Sequence, residues 1–538
     1  MALILSFSIR ELYRSDKAML FEWQTNQSFR RDVWLFVTGM AISLVAKGVA
    51  LFPFGFSVDS YPKLVAMSEN PSVAGGAFEE FIDQGRLGQW LLNKALETLG
   101  IIGPGGNTLY VFLTLCCFVA VGVLLCRLWR IENDIVLQIC VVGVVAIHPY
   151  HAEIFTFREA TLCVGVALLS GISGLVVAAG RASRWIVGCI LMIFSLTLYQ
   201  VVFNYVVIAL IVLILLELSR LGSRQVFERH PGGDGQQIRL EILYRTTAFV
   251  VAVLMYIAVY TLSLKIFGSV SVEAQRRTIL PLARIPGRIL GTMHILWNMF
   301  AVPEALMPTA TKLLIGVICI LAIVLLTRRI MQTEGPGHYP ALAATYILLG
   351  IAVFSIVGMG IPLRFWQPFD RVLSAVSVLV AGLLTIAILN SDLWTRRVLL
   401  VMAAILLFSF TGVNNVVLSE QLRVNNRDME KATRMIMRLE AEPEFRAATK
   451  LAVVGGEREY PMGFRTVRRG SDMNVSGFAR PWSKANLIRE VSGYRLIEPS
   501  RQERLRAEDY CRDVQPWPGP ASVAVLDHTA IICLPDGE

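Results

Sequence analysis

Apolar runs separated by short polar connections occupy the chain from about residue 33 to about residue 415. Most approach the ~20 residues that a helix needs to cross a hydrocarbon layer. They fall at 33–54, 108–127, 133–148, 160–180, 184–200, 201–219, 244–267, 311–328, 340–360, 371–390 and 397–415, which predicts about eleven membrane spans. The fifth and sixth meet at Tyr199–Gln200 with almost no loop between them. Residues 1–32 read as a polar tail in which Ile9–Phe21 forms an interfacial amphipathic helix, with no cleavable signal peptide ahead of it. Beyond 415 the pattern changes. Ser419–Glu442 carries heptad-like apolar spacing among many charges and reads as a helix leaving the membrane. Lys450–Gly455 reads as a buried strand, and Ser522–Leu526 with Ala530–Leu534 as a hairpin across Asp527, His528 and Thr529. The expected fold is therefore mainly α: a polytopic helical membrane domain over 33–415, followed by a small α/β domain over 416–538.

Two connections are long. In 55–107, Pro53, Gly55 and Pro62 break helical continuity around Asp59. From Ala77 to Leu99 the apolar residues recur at helical spacing, with Glu79, Glu80, Asp83 and Lys94 on other faces, which predicts one amphipathic helix on the membrane surface. In 268–310, the apolar stretch Ile289–Val302 is short for a span and reads as interfacial or re-entrant.

Composition agrees with the membrane reading: 55% of the 538 residues are hydrophobic, only 17% are charged, and mean hydropathy is +0.58. Charge sets the orientation. Lys and Arg concentrate in alternate loops (127–130, 181–184, 220–245, 328–329, 396–397) and in the N-terminal tail, which places these in the cytoplasm. The 55–107, 148–159, 268–310 and 364–371 connections and the C-terminus then face the periplasm of a bacterial inner membrane. The net charge of +9 is accounted for by these anchors and a basic tail, without nucleic acid. Seven of the nine cysteines lie in apolar runs, as small hydrophobes do; Cys511 and Cys533 lie outside them and read as one disulfide in an oxidising compartment.

The chain has no phosphate-binding loop, no dinucleotide fingerprint, no His-Glu-x-x-His and no nucleophile elbow, and its six histidines are scattered. Nucleotide-driven transport and metalloprotease chemistry lose their support. No cofactor is expected, although a divalent cation stays open. Polar groups at the exported ends of the spans remain as candidates. Asp59 reads either as a turn-forming loop carboxylate or as a general base taking a proton from an attacking hydroxyl. Arg86, between Gly85 and Gly88, reads as a phosphate grip or as a lipid-headgroup anchor, with Arg276, Arg277, Arg364 and Arg371 as further cations. Glu80 and Asp83 offer acceptor contacts or simply a wet helix face. Glu153 and His151 line an acceptor groove or pair with Arg158, and Tyr199 and Gln200 point polar groups to the exported side. Lys47 and Glu217 are expected to snorkel toward span ends.

Three segments carry a family likeness: Ser-Val-Asp-Ser-Tyr followed by Asp-Gln-Gly-Arg-Leu-Gly (57–61 and 83–88), Ala-Glu-Ile-Phe-Thr-Phe (152–157) and Leu-Tyr-Gln (198–200). In this order, and with Asn-Arg-Asp-Met-Glu-Lys-Ala at 426–432, they resemble the serotype-converting Gtr type II glucosyltransferases that modify bacterial O-antigen. The likeness covers roughly residues 50–440 and implies a membrane glycosyltransferase of GT-C type. It further implies a polyprenyl-phosphate sugar as donor and a base in the first exported loop, which maps onto Asp59. The chain departs from relatives in having Asp59-Ser60 where two adjacent acids are common, and Leu87 where an aromatic often follows the arginine. The expected function is inverting transfer of a hexose, glucose by the resemblance, from undecaprenyl phosphate to O-antigen or a related surface polysaccharide. A polysaccharide flippase and a transferase acting on protein are the alternatives. A flippase predicts polar span interiors and internal repeats, and neither is found.

Overall fold

A computed structural model describes residues 27–52, 55–69, 78–101, 106–131, 134–221, 234–267, 280–302, 306–332, 338–364, 368–460, 463 and 472–536. The expected tail helix Ile9–Phe21 and the cations Arg276 and Arg277 lie outside the described residues. Helix α1 (Gln27–Lys47) is followed by three short helices of the first long connection, α2 (Ser60–Glu69), α3 (Phe78–Asp83) and α4 (Leu87–Thr98). A run of apolar helices comes next: α5 (Asn107–Leu128), α6 (Ile135–Ile147), α7 (Arg158–Val177), α8 (Ala182–Leu198), α9 (Val202–Leu221) and α10 (Asp234–Phe267). Helix α11 (Ile285–Ala301) occupies the second long connection. It precedes α12 (Thr309–Met331), α13 (His338–Phe354), α14 (Asp370–Leu373), α15 (Val376–Leu389) and the 49-residue α16 (Leu393–Ala441).

Among the described residues, eight helical segments are long and apolar enough to cross a bilayer. Helix α6 with the 3-10 turn Pro149–Phe155 makes a bent ninth, and α8 and α13 are shorter apolar helices. Every apolar run read from the sequence thus contains an apolar helix. This is a polytopic helical membrane protein. The 46° bend after α6 has a local cause: Pro149 disfavours helical backbone at His148, which sits extended at ψ 133°. The chain then turns across one end of the bundle, with all seven residues of the 3-10 turn buried.

One apolar cluster joins α1 and α5–α16. On their other faces α10 and α12 leave Leu254, Leu262, Leu313 and Ile320 exposed, as helices facing lipid do. Lys47 does not snorkel. It is fully buried, donating from Nζ to the Ala146 carbonyl at 2.9 Å and lying 4.7 Å from the centre of the Phe155 ring. Glu217 is buried too, held by Arg220 at 2.6 Å. Away from this end, ion pairs tie the arginine-bearing connections together: Arg127 to Asp32, Arg130 to Glu241 at 2.7 Å and Arg396 to Asp134 at 2.6 Å.

The single surface helix expected over 77–99 is two helices. Gly85 breaks it with φ +63°, a conformation that side chains disfavour, and a Cβ there would stand 2.6 Å from the Tyr256 hydroxyl.

At its far end α16 leaves the bundle for a three-stranded sheet. Strand β1 (Lys450–Val454) precedes α17 (Pro481–Ser492) and α18 (Arg501–Asp513), and β2 (Val523–Leu526) and β3 (Thr529–Cys533) close the chain. The order is β1-β3-β2, with β1 parallel and β2 antiparallel to β3. Asp527 and His528, both at positive φ, make the two-residue hairpin turn that matches strand twist. A disulfide joins Cys511 of α18 to Cys533 of β3 with Cα atoms 5.3 Å apart. The core of this region, with Met435, Leu439, Leu451, Phe478, Leu487 and Ile532, also takes in Phe56 and Tyr61 of the first long connection. That shared core brings the C-terminal region onto the loop carrying Asp59.

Candidate active site

The segment before α2 is held from two sides. Asn425 of α16 accepts from the Phe56 amide at 3.0 Å, and returns a bond from Nδ2 to the Phe56 carbonyl at 3.1 Å. Gln421, one turn earlier, donates to the same carbonyl at 2.9 Å. From the other side the Ser57 amide donates to the Thr156 carbonyl at 2.9 Å. Two residues further on, Asp59 stands partly exposed, and its Oδ1 accepts from Trp482 Nε1 at 2.9 Å. Arg158, offered as a partner for Glu153, instead donates to the backbone carbonyls of Phe52 (2.9 Å) and Gly55 (3.3 Å). A guanidinium with several donors satisfies the carbonyls that a non-helical segment leaves open.

Next to this loop lies a charged cluster. Glu153, fully buried, receives Arg371 twice: Nη1 at 2.5 Å on Oε1 and the backbone amide at 2.7 Å on Oε2. The same Nη1 reaches Asp472 Oδ2 at 3.4 Å, and the Asp472 amide donates to Glu153 Oε1 at 3.4 Å. Phe157 and Phe369 hold the guanidinium carbon 4.0 and 4.3 Å from their ring centres. Burial, then the nearby Asp59 charge, pushes the Asp472 carboxyl up to about 6 against the pull of Arg371. Asp59 also lies within electrostatic reach of Arg371.

Arg86 begins α4. Its guanidinium lies 5.3 Å from the centre of the Tyr199 ring, and Nε reaches Gln200 Oε1 at 3.5 Å. Among the described residues it makes no ion pair. Gln200 donates to the carbonyls of Gln84 (2.7 Å) and Gly85 (3.1 Å) and to the Tyr256 hydroxyl (3.0 Å), so it fixes the turn that presents Arg86. Gly85 and Gly88, on either side of Arg86, are needed for packing: a Cβ on Gly88 would meet the Thr197 hydroxyl at 2.5 Å. Tyr199 is buried between the two halves of the site, within electrostatic reach of Arg86, Arg371 and Glu153.

The structure therefore brings together Asp59, Glu153 and Arg371, and links Arg86 to them through Tyr199. The other sequence candidates stand apart. Glu80 is exposed and pairs with Lys63 at 3.8 Å on the outer surface. Asp83 is buried, its carbonyl accepting from Tyr260 at 3.1 Å. Arg364 is exposed, and its carbonyl accepts from Arg288 at 3.2 Å. Glu153, expected to line an acceptor groove or to pair with Arg158, has no exposed surface and is the counter-ion of Arg371 within the cluster. The sequence reading missed Asp472 and Trp482. Only the Pro-Trp pair at the start of α17 carries a local signal, and it marks a helix N-terminus, not a site. No group of three or more metal-ligating side chains is assembled among the described residues.

The family model described as Glucosyl transferase GtrII matches residues 48–389, well over half of the chain. The chain belongs to the GtrII glucosyl transferase family. The matched stretch of this glucosyl transferase contains Asp59, Arg86, Glu153, Tyr199 and Arg371, and ends before Asp472 and Trp482. No curated protein and no solved structure matches the chain.

Proposed function

We propose that this membrane glucosyl transferase is of GT-C type and moves glucose, with inversion, from undecaprenyl-phosphate glucose to O-antigen or a related surface polysaccharide. The reaction would take place on the periplasmic side of the inner membrane. The observation that carries this reading is the placing of a partly exposed carboxylate, Asp59, beside the Arg371–Glu153–Asp472 cluster, with the Arg86 guanidinium beyond Tyr199, at the loop end of an apolar bundle. A lipid-linked donor keeps its tail in the bilayer, so its sugar–phosphate bond has to be met there. The acceptor hydroxyl oxygen attacks C1 of glucose as its proton passes to Asp59. The bond from C1 to the phosphate oxygen breaks, and the lipid phosphate leaves carrying the electron pair. Arg86, without an ion pair among the described residues, grips that phosphate. Arg371, already neutralised by Glu153 and Asp472, shapes the site.

Membranes containing the protein should transfer labelled glucose from polyprenyl-phosphate glucose, with no transfer from a nucleotide sugar. Arg86→Ala should raise the donor KM about tenfold or more. Label arriving only from the nucleotide sugar would overturn the donor assignment. Sidedness has its own test: in intact spheroplasts, Cys511 and Cys533 should take up an impermeant thiol reagent only after an impermeant reductant is added. Labelling that appears solely after the membrane is broken would place the C-terminus inside.

A further inference from the structure

We infer that Trp482 is both the positioning residue for Asp59 and the platform on which the acceptor sugar stacks, an inference that rests on the reading of Asp59 as the base. Trp482 stands second in α17, where Pro481 opens the helix and Arg480 enters it with extended backbone. Helix α17 packs against α2, the helix that begins directly after Asp59. The indole is 49% exposed and takes no part in the C-terminal apolar core, although Phe478 and Leu487 on either side are fully buried in it. Core packing therefore does not account for a large aromatic at this position. Two other contacts do define it. Nε1–H donates to Asp59 Oδ1 at 2.9 Å, and Arg480, paired with Glu459 at 2.5 Å, lies 5.8 Å from the ring centre.

The chemistry follows from those positions. A tryptophan presents a broad apolar face with one polar edge. Here the edge is committed to one oxygen of the base, which holds the carboxylate in one orientation and leaves Oδ2 to take the acceptor proton. The exposed face beside it matches the C–H face of a pyranose ring. A saccharide stacked there is delivered with its hydroxyls next to Asp59, a gain of the kind that orientation supplies in bimolecular reactions. Trp482 lies beyond residue 389, where the match to the family model ends.

Two variants separate the roles. Trp482→Phe keeps the stacking face and removes the N–H. Its acceptor KM should stay within about threefold while kcat falls ~10-fold, as for a lost hydrogen bond to a charged group. Trp482→Ala removes both, and its acceptor KM should rise at least ~10-fold with kcat reduced similarly. In both, the donor KM should be unchanged. The partial exposure of the ring leaves the core in place, which retention of the Cys511–Cys533 bond and of the melting temperature would verify. Wild-type kinetics in both variants, or a change confined to donor KM, would overturn the inference. Asp59→Asn in the same assay distinguishes the two layers. If it is inactive while both Trp482 variants match wild type, only the role of Trp482 fails; if it transfers normally, the base assignment fails and this inference with it.

Discussion

Asp59→Asn should fold, insert and bind donor, yet lose glucosyl transfer by ~10²–10⁴-fold, the range that general-base assistance contributes. The asparagine side chain has the same size, and its carbonyl oxygen can still accept from Trp482 Nε1, so the contact at 2.9 Å survives. The backbone around it is held independently, by Asn425 and Gln421 on one side and Thr156 on the other. What disappears is the oxygen able to take a proton. The donor binding proposed for Arg86 should be separate, because that guanidinium sits on a turn fixed by Gln200 and Tyr256. A purified Asp59→Asn protein with unaltered donor affinity and turnover within threefold of wild type would remove Asp59 from the chemistry.

Arg371→Ala should be the most destabilising single change at the site, at ~3–5 kcal/mol, because it strands Glu153, a carboxylate with no exposed surface, with two backbone amides as its partners among the described residues. The Phe157 and Phe369 rings lose the guanidinium between them as well. Adding Glu153→Gln to Arg371→Ala should restore part of the loss, since the buried charge then vanishes. Melting temperatures in detergent measure both, and strictly additive losses would show that the pair is not coupled. The pH dependence has a definite sign. Asp472 titrates at about 6 in the folded protein, above the ordinary carboxylate range, so its ionised form costs stability. That cost shrinks as pH falls through about 6 and is gone only below the ordinary carboxylate range, ~4. Arg371 opposes the upward shift, so its removal should enlarge the cost, and Arg371→Ala should lose more stability relative to wild type at pH 8 than at pH 5.

Much of the architecture was legible in the chain because its causes are local. Each apolar run became an apolar helix, since a backbone in hydrocarbon has to satisfy its own hydrogen bonds. The hairpin was legible because its strands are apolar on either side of two residues that tolerate positive φ. The non-helical stretch from Gly55 to Asp59 was legible in part. Pro62, expected to break the helix, sits in the first turn of α2, where a proline is tolerated, and Pro53 lies outside the described residues. Local spacing also misled, where a continuous helical pattern over 77–99 concealed the break that Tyr256 and Gln200 impose at Gly85.

The sequence by itself determined the helices, the hairpin, the family and the position of one acidic residue in the first long loop. Only the tertiary structure decided that Arg371 pairs with Glu153, 218 residues away, and that Arg158 serves backbone carbonyls. Only it placed Asp472 beside that pair and Trp482 on Asp59, across 423 residues. The reason is physical: a helix or a turn is dictated by neighbours along the chain, whereas the partner of a buried charge is whichever group the packed helices carry within about 3 Å of it, and periodicity holds no record of that choice.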